Sequence, residues 1–209
     1  MRFTWIFLLV SIQIGAQQPQ FEPLTKTDGL SNNSVLSILK DSRGFMWFGT
    51  FDGLNKYDGT NFTVYRHDPS KKGSISNNRV QALFEDSKQN IWVGTTNGLN
   101  RYNPKKDEFK VYLYYDSIPN SVSHQNIKAI HEDENGFIWI GTIGGGLNRY
   151  DYASDTFKRY RYQKEDAGSI GHYGLINGSQ NAISKMDYAI SYWENPQGLR
   201  ISYTYTKDN

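Results

Sequence analysis

The side chains that could do chemistry in this sequence fall into a few small groups. Four histidines, His67, His124, His131 and His172, are the only imidazoles, and none has the close helical spacing of a zinc site. There is no cysteine, which removes a disulfide framework, a thiolate metal site and a cysteine nucleophile together. Gly144-Gly145-Gly146 is glycine-rich, but no helix start follows it to offer N–H groups to a phosphate, so a wide turn is expected. No nucleophile, base and orienting group can be assembled, so no catalytic residue, no metal and no cofactor is expected, and the chain reads as a non-enzyme. What remains is a set of polar side chains with an occasional ring: Asn32, Phe51 and Asp52, then Asn77, Arg79, Thr96 and Asn97, then His124, Asn126 and Ile143. Amides suit the hydroxyls of a sugar and a ring suits its apolar face. Solvated turns have the same composition, so both readings stay open for each residue.

These residues sit inside an internal repeat of about 45 residues. Leu30-Ser31-Asn32-Asn33-Ser34-Val35 is echoed by Ile75-Ser76-Asn77-Asn78-Arg79-Val80 and by Val122-Ser123-His124-Gln125-Asn126-Ile127. Asp41, Asp86 and Asp133 are each followed six residues later by Trp47, Trp92 and Trp139. Each Trp opens a Trp-apolar-Gly-Thr block through Gly49-Thr50, Gly94-Thr95 and Gly141-Thr142. A third block, Gly53-Leu54-Asn55-Lys56-Tyr57, returns as Gly98-Leu99-Asn100-Arg101-Tyr102 and Gly146-Leu147-Asn148-Arg149-Tyr150.

Each unit divides into four short runs between turn residues, the pattern of four antiparallel strands. The first run has Ser37, Ala82 or Ala129 at its centre, where small side chains suit the crowded inner edge of a wedge. The second is apolar on both faces: Met46 and Phe48 point one way and Trp47 the other, and Ile91-Trp92-Val93 and Ile138-Trp139-Ile140 repeat this. A strand apolar on both faces must be covered on both, which argues for sheets stacked around an axis. Trp47, Trp92 and Trp139 are therefore expected in equivalent buried positions, with Gly49, Gly94 and Gly141 as framework. The fourth run carries charges such as Lys110, Lys158 and Arg159, as suits an outer edge that must not pair with other chains. The turns 41–44 and 133–136 end in Gly, and the second repeat has Gln89-Asn90 there; Asn90 is expected in the left-handed conformation.

The expected fold is all-β and propeller-like, with three four-stranded antiparallel blades, about 30–70, 75–115 and 122–162, in an incomplete ring followed by a divergent C-terminal segment. The chain direction puts the segment before strand one and the turn between strands two and three at the same end of each blade. The candidate ligand residues are therefore expected to share that end.

The repeated Leu-Ser-Asn-Asn-Ser-Val, Asp-x-x-Gly-x-x-Trp-x-Gly-Thr and Gly-Leu-Asn-Lys-Tyr blocks resemble the two-component regulator propeller repeat, from residue 24 to about 170. The resemblance implies a periplasmic sensor segment of a hybrid two-component system that responds to polysaccharide fragments. It implies as partners an oligosaccharide, further blades and a sensor kinase. A structural or protein-interaction propeller piece without a small ligand is the alternative. The Asp-x-x-Gly-x-x-Trp segment is also similar to the Asp box of sialidases, where it is a structural turn. A sialidase would need an arginine cluster, whereas Lys56, Arg101 and Arg149 share one framework position.

The two ends of the sequence depart from the repeat. Residues 1–16 read as a signal peptide, with Arg2, an apolar core from Trp5 to Val10 and small residues at Gly15-Ala16; the apolar run is shorter than the roughly 20 residues that span a bilayer. Residues 17–170 hold the repeats, and no membrane span is expected after cleavage. In residues 171–209 the repeat motif stops after Gly168-Ser169-Ile170, which reads either as a divergent closing segment or as a fourth blade cut short by truncation or frame shift. Missing neighbours are expected to leave apolar faces uncovered around Trp47 and Phe48 in the first blade and Trp139 and Ile140 in the third. The net charge of +2, with 21% charged residues among 209, gives no reason to expect nucleic acid or an anionic membrane as partner.

Overall fold

Period-2 alternation bounded by glycine and Asx turns gives each repeat four strands. In this computed structural model, which describes residues 23–163 and Ser169, they are β1 (Val35–Lys40), β2 (Met46–Thr50), β3 (Gly53–Tyr57) and β4 (Phe62–Tyr65) in the first repeat. The second holds β5 (Val80–Glu85), β6 (Ile91–Thr95), β7 (Gly98–Asn103) and β8 (Glu108–Tyr112), and the third β9 (Ile127–Glu132), β10 (Ile138–Thr142), β11 (Gly146–Asp151) and β12 (Thr156–Tyr160). Each set forms its own four-stranded antiparallel sheet in sequence order. These are three propeller blades, as the alternation predicts. The signal peptide and the segment from 171 lie outside the described residues.

The blades stack through their first strands: β1 lies against β5 and β5 against β9, with β2 facing β5 and β6 facing β9. One apolar cluster fills the space between blades one and two, with Trp47, Leu54, Ile75, Val80, Ile91, Val93, Tyr102 and Phe109 buried in it. A second, with Trp92, Leu99, Val122, Ile127, Ile138, Ile140, Tyr150 and Phe157, fills the space between blades two and three. The core of this molecule is thus between sheets, which is why the second strands are apolar on both faces.

Three expectations need correction. In the second repeat Gln89, at φ 61°, takes the left-handed position held by Gly44 at 93° and Gly136 at 78°. Asn90 does not, because its side-chain amide is used instead to donate to both carboxylate oxygens of Asp86, at 3.1 and 2.9 Å. Trp47 and Trp92 are fully buried, but Trp139 is only partly so, since among the described residues no further blade packs on its side of blade three. The uncovered faces also differ from expectation. Trp47 and Ile140 are both sealed between blades, and it is Phe48 in blade one and Trp139 in blade three that remain partly open.

The linkers between blades repeat as faithfully as the strands. Ser74 Oγ accepts from the Asp68 amide at 3.1 Å and donates to its carbonyl at 2.8 Å. Ser121 makes the same two bonds with Tyr115 at 3.0 and 3.1 Å. Ser169 makes them again with Gln163 at 3.0 and 3.0 Å, so the pair of bonds that precedes blades two and three recurs after blade three.

Candidate functional site

The residues that repeat prove to be wired into structure. Asp41 Oδ1 accepts the amides of Arg43 and Phe45 at 3.0 and 2.9 Å, and its Oδ2 accepts Trp47 Nε1 at 2.9 Å. Asp86 takes Trp92 Nε1 at 2.6 Å and Asp133 takes Trp139 Nε1 at 2.7 Å in the same way. One carboxylate closes the β1–β2 turn and holds the indole that fills the next interface. Burial works against the charge of Asp41, but the bonds from Trp47, Phe45 and Arg43 outweigh it and hold the carboxyl below its ordinary range. Asp133 is depressed likewise, with Trp139 and the Phe137 amide outweighing burial.

A buried Ser–Thr–Asn cluster lies at the opposite end of each second strand. Asn55 Oδ1 accepts the Ser31 amide at 2.8 Å, and its Nδ2 donates to Ser31 Oγ at 2.8 Å and to the Phe48 carbonyl at 3.2 Å. Thr50 Oγ1 donates to the Gly53 carbonyl at 2.9 Å, which leaves it to accept the Ser31 hydroxyl at 2.9 Å. Ser76, Thr95 and Asn100 repeat this arrangement, and so do Ser123, Thr142 and Asn148. Among the described residues no imidazole or carboxylate hydrogen-bonds to these hydroxyls, whose bonds tie the entry segment of each blade to its second and third strands. The cations at the shared framework position lie over rings: Lys56 Nζ is 4.0 Å from the Phe45 centroid, Arg101 5.5 Å from Trp92 and Arg149 4.3 Å from Phe137.

Sequence reasoning missed a set of contacts that tie each blade to the next. Tyr65 of β4 and Tyr102 of β7 both donate to Asp107 Oδ1, each at 2.6 Å. Tyr112 and Tyr150 converge in the same way on Asp155, with Lys110 paired to it. Burial opposes ionisation of both acids, yet these donors hold both carboxyls below their usual range. The signal was present as an Asp two residues before Phe109 and Phe157, but its partner lies in the preceding blade, so no local pattern could reveal it.

The candidate ligand residues do share one end of the blades. The Gly53 amide donates to the Asn78 carbonyl at 2.7 Å and the Gly98 amide to the Gln125 carbonyl at 2.6 Å, which sets each β2–β3 turn beside the entry segment of the next blade. Within that row the side chains have different tasks. Asn32 Oδ1 accepts the Ser34 amide at 2.8 Å, and Asn77 Oδ1 accepts the Arg79 amide at 2.9 Å and Thr96 Oγ1 at 3.0 Å. His124 Nδ1 accepts the Asn126 amide at 3.1 Å; burial, helped by the charge of Arg161, lowers its pKa and keeps the ring in the neutral form this bond needs. These three close turns. Asp52 pairs with Arg66 at 3.1 Å, and Asn126 Oδ1 accepts Gln81 Nε2 at 2.7 Å. Phe51 is 44% exposed with the Arg79 guanidinium 4.6 Å above its ring, and Asn97, in the corresponding turn of blade two, is exposed. Phe51, Arg79 and Asn97 are thus exposed members of the row. Among the described residues no three His, Asp or Glu side chains converge as a metal site, and no helix is long and apolar enough to cross a membrane.

The sequence pattern described as Two component regulator propeller matches residues 29–52, 74–97 and 121–144. The chain is similar to the extracellular domain of a protein described as a hybrid two component system from B. thetaiotaomicron, with 35% identity and a TM-score of 0.64 over 72% of this chain and 21% of that one. A second extracellular domain from B. thetaiotaomicron, of a protein described as a one component system, has 24% identity and a TM-score of 0.56 over 69% of this chain and 18% of that one, a likeness of fold alone. Histidine kinase P4 of Formosa agariphila is 44% identical over 63 residues, 30% of this chain and 5% of that protein. The chain therefore spans a small part of each relative's length. The matched stretches contain the Asp–Trp turns and the Ser and Thr of the buried clusters in repeats one and two, and the corresponding residues in repeat three, so the three repeats of this chain are those of the two component regulator propeller family.

Proposed function

We propose that this chain is a periplasmic ligand-sensing propeller segment of a two-component regulator and that its ligand is a polysaccharide fragment. The observation that carries this reading is the division of labour along the blades. The repeated Asp, Trp, Ser, Thr and Asn side chains are engaged in hydrogen-bond networks, while the non-repeating end presents an exposed ring, Phe51, with a guanidinium stacked on it and, in the next turn of the row, an exposed amide, Asn97. A ring face and fixed donors are what a pyranose needs for stacking and hydroxyl recognition. The similarity to an extracellular domain of a hybrid two component system supports the exported location and a kinase partner.

A panel of oligosaccharides titrated calorimetrically into the purified chain tests the reading. Phe51→Ala and Arg79→Ala each weaken binding about fivefold or more, the loss of a contact of roughly 1 kcal/mol, whereas Arg149→Ala on the far framework position leaves it unchanged. Binding that survives both substitutions at the turn end overturns it. The alternative, a propeller piece that contacts protein alone, is favoured by the internal engagement of Asn32, Asn77, His124 and Asn126, and predicts no saccharide binding at all.

A further inference from the structure

Adjacent blades are locked by one contact made twice. Ser42, the residue after Asp41, donates its amide to Glu85 Oε2 and its hydroxyl to Glu85 Oε1, both at 2.7 Å. Ser87, the residue after Asp86, makes the same pair of bonds to Glu132, both at 2.6 Å. The acceptor is in each case the last residue of the next blade's first strand. The donor position belongs to the leading face of a blade and the acceptor position to its trailing face.

At the two outer faces both positions change chemistry. Lys40 ends β1 where Glu85 and Glu132 end β5 and β9, and Glu134 follows Asp133 where Ser42 and Ser87 follow their aspartates. Lys40 and Glu134 are exposed, and neither has an ion pair among the described residues. The trailing face of blade one is therefore basic where its inner counterparts are acidic. The leading face of blade three is acidic where its counterparts carry a neutral hydroxyl. A blade three set against a blade one in the register of the inner blades brings Glu134 to Lys40.

The apolar surfaces run the same way. Ile38 on blade one is 61% exposed, whereas its counterparts Leu83 and Ile130 pack into the two interblade clusters. Phe48 is partly open, whereas Val93 and Ile140 at its position are fully buried. On blade three Trp139 is partly open and Phe137 is 39% exposed. Lys158, at the position from which Lys110 reaches Asp155, is exposed, and the β3–β4 turn of blade one presents the exposed Asp58.

We propose that the leading face of blade three docks on the trailing face of blade one in a second copy of this chain, with Glu134 and Lys40 paired in place of the inner serine–glutamate contact. The contact joins unlike faces, so two copies that use it reciprocally about a two-fold axis make it twice. The apolar faces provide the affinity, and the charge pair sets which face meets which, because rim charges act on selection more than on binding strength.

Sedimentation equilibrium of the purified full chain, at low and at moderate salt, tests this. The wild-type chain is expected to form a dimer that Lys40→Glu and Glu134→Lys each weaken by about tenfold or more, through like charges set face to face. Both side chains are exposed, and circular dichroism checks that both variants keep the wild-type fold. Mixing the two single variants restores the dimer, because each contact in the mixed pair is again of opposite charge, and the double variant K40E/E134K dimerises by itself. A chain that stays monomeric up to its solubility limit overturns the proposal. So does an assembly indifferent to either charge reversal, or a mixture that fails to recover.

Discussion

A carboxylate taken out of water needs donors around it, and Asp41 has four: two amides, the Arg43 guanidinium and the indole of Trp47. Asp41→Asn keeps the shape but sets an amide N–H₂ among donors, so it should destabilise the chain by about 2 kcal/mol in chemical denaturation at pH 7. The folded carboxyl titrates below its unfolded value of about 3.9. Its contribution is complete above that value and is lost as pH falls through the lower folded one. The stability gap between wild type and D41N should accordingly be widest near neutrality and close below about pH 4; a gap independent of pH would show that Asp41 does not act as an anion. Gln89 makes the opposite prediction. Its left-handed backbone stores about 1 kcal/mol that glycine would not, so Gln89→Gly should raise the unfolding free energy by roughly that amount. The sequence made clear that this turn needed a positive φ, but assigned it one residue too late, because the competing task of Asn90 depends on the three-dimensional position of Asp86.

Single elements are held by what faces them across the blade boundary. Gly94 sits opposite Ala82 on β5, and a Cβ added there would lie 2.7 Å from Ile127 Cγ2 of the next blade and 3.1 Å from Ala82 Cβ. Gly94→Ala should therefore cost about 1–3 kcal/mol by overpacking, read as a lower denaturation midpoint with unchanged slope. Asn100 ties β7 to β6 and to the entry segment through the Ser76 amide, Ser76 Oγ and the Val93 carbonyl. Asn100→Ala strands those partners in a dry site and should cost about 3 kcal/mol or more. The small residues at the centre of each first strand were visible as a pattern, and the wedge explanation was correct in kind. The particular neighbour was not legible, since Val80 and Ile127 reach Gly49 and Gly94 from another sheet.

For the whole molecule, the same letter has different energetic weight according to the blade that carries it. Trp92 is enclosed by Tyr112, Tyr150 and Tyr152 from two blades, while Trp139 has Tyr160 of its own blade against it. In dilute solution, where copies do not meet, Trp92→Ala should destabilise by about 3–5 kcal/mol and Trp139→Ala by clearly less. Equal losses in calorimetric unfolding would mean that Trp139 is covered in the isolated chain. Stability in such arrays is carried by interfaces between neighbours rather than by any blade alone.

Repeat number, strand number, the all-β class and the framework positions were determined by the sequence, because alternation, turn residues and the Asp-to-Trp spacing act within a single repeat. The end of the blades where variable residues gather also followed from chain direction. The tertiary structure decided which of those residues close turns and which face outward. It also decided that Gln89 bears the strained backbone, and that Tyr65 with Asp107 and Ser42 with Glu85 join successive blades. The last two contacts join residues about one repeat apart, across a boundary where one sheet meets the next. Local periodicity specifies a strand and its faces, whereas the identity of the atom opposite a side chain is settled only when the sheets stack.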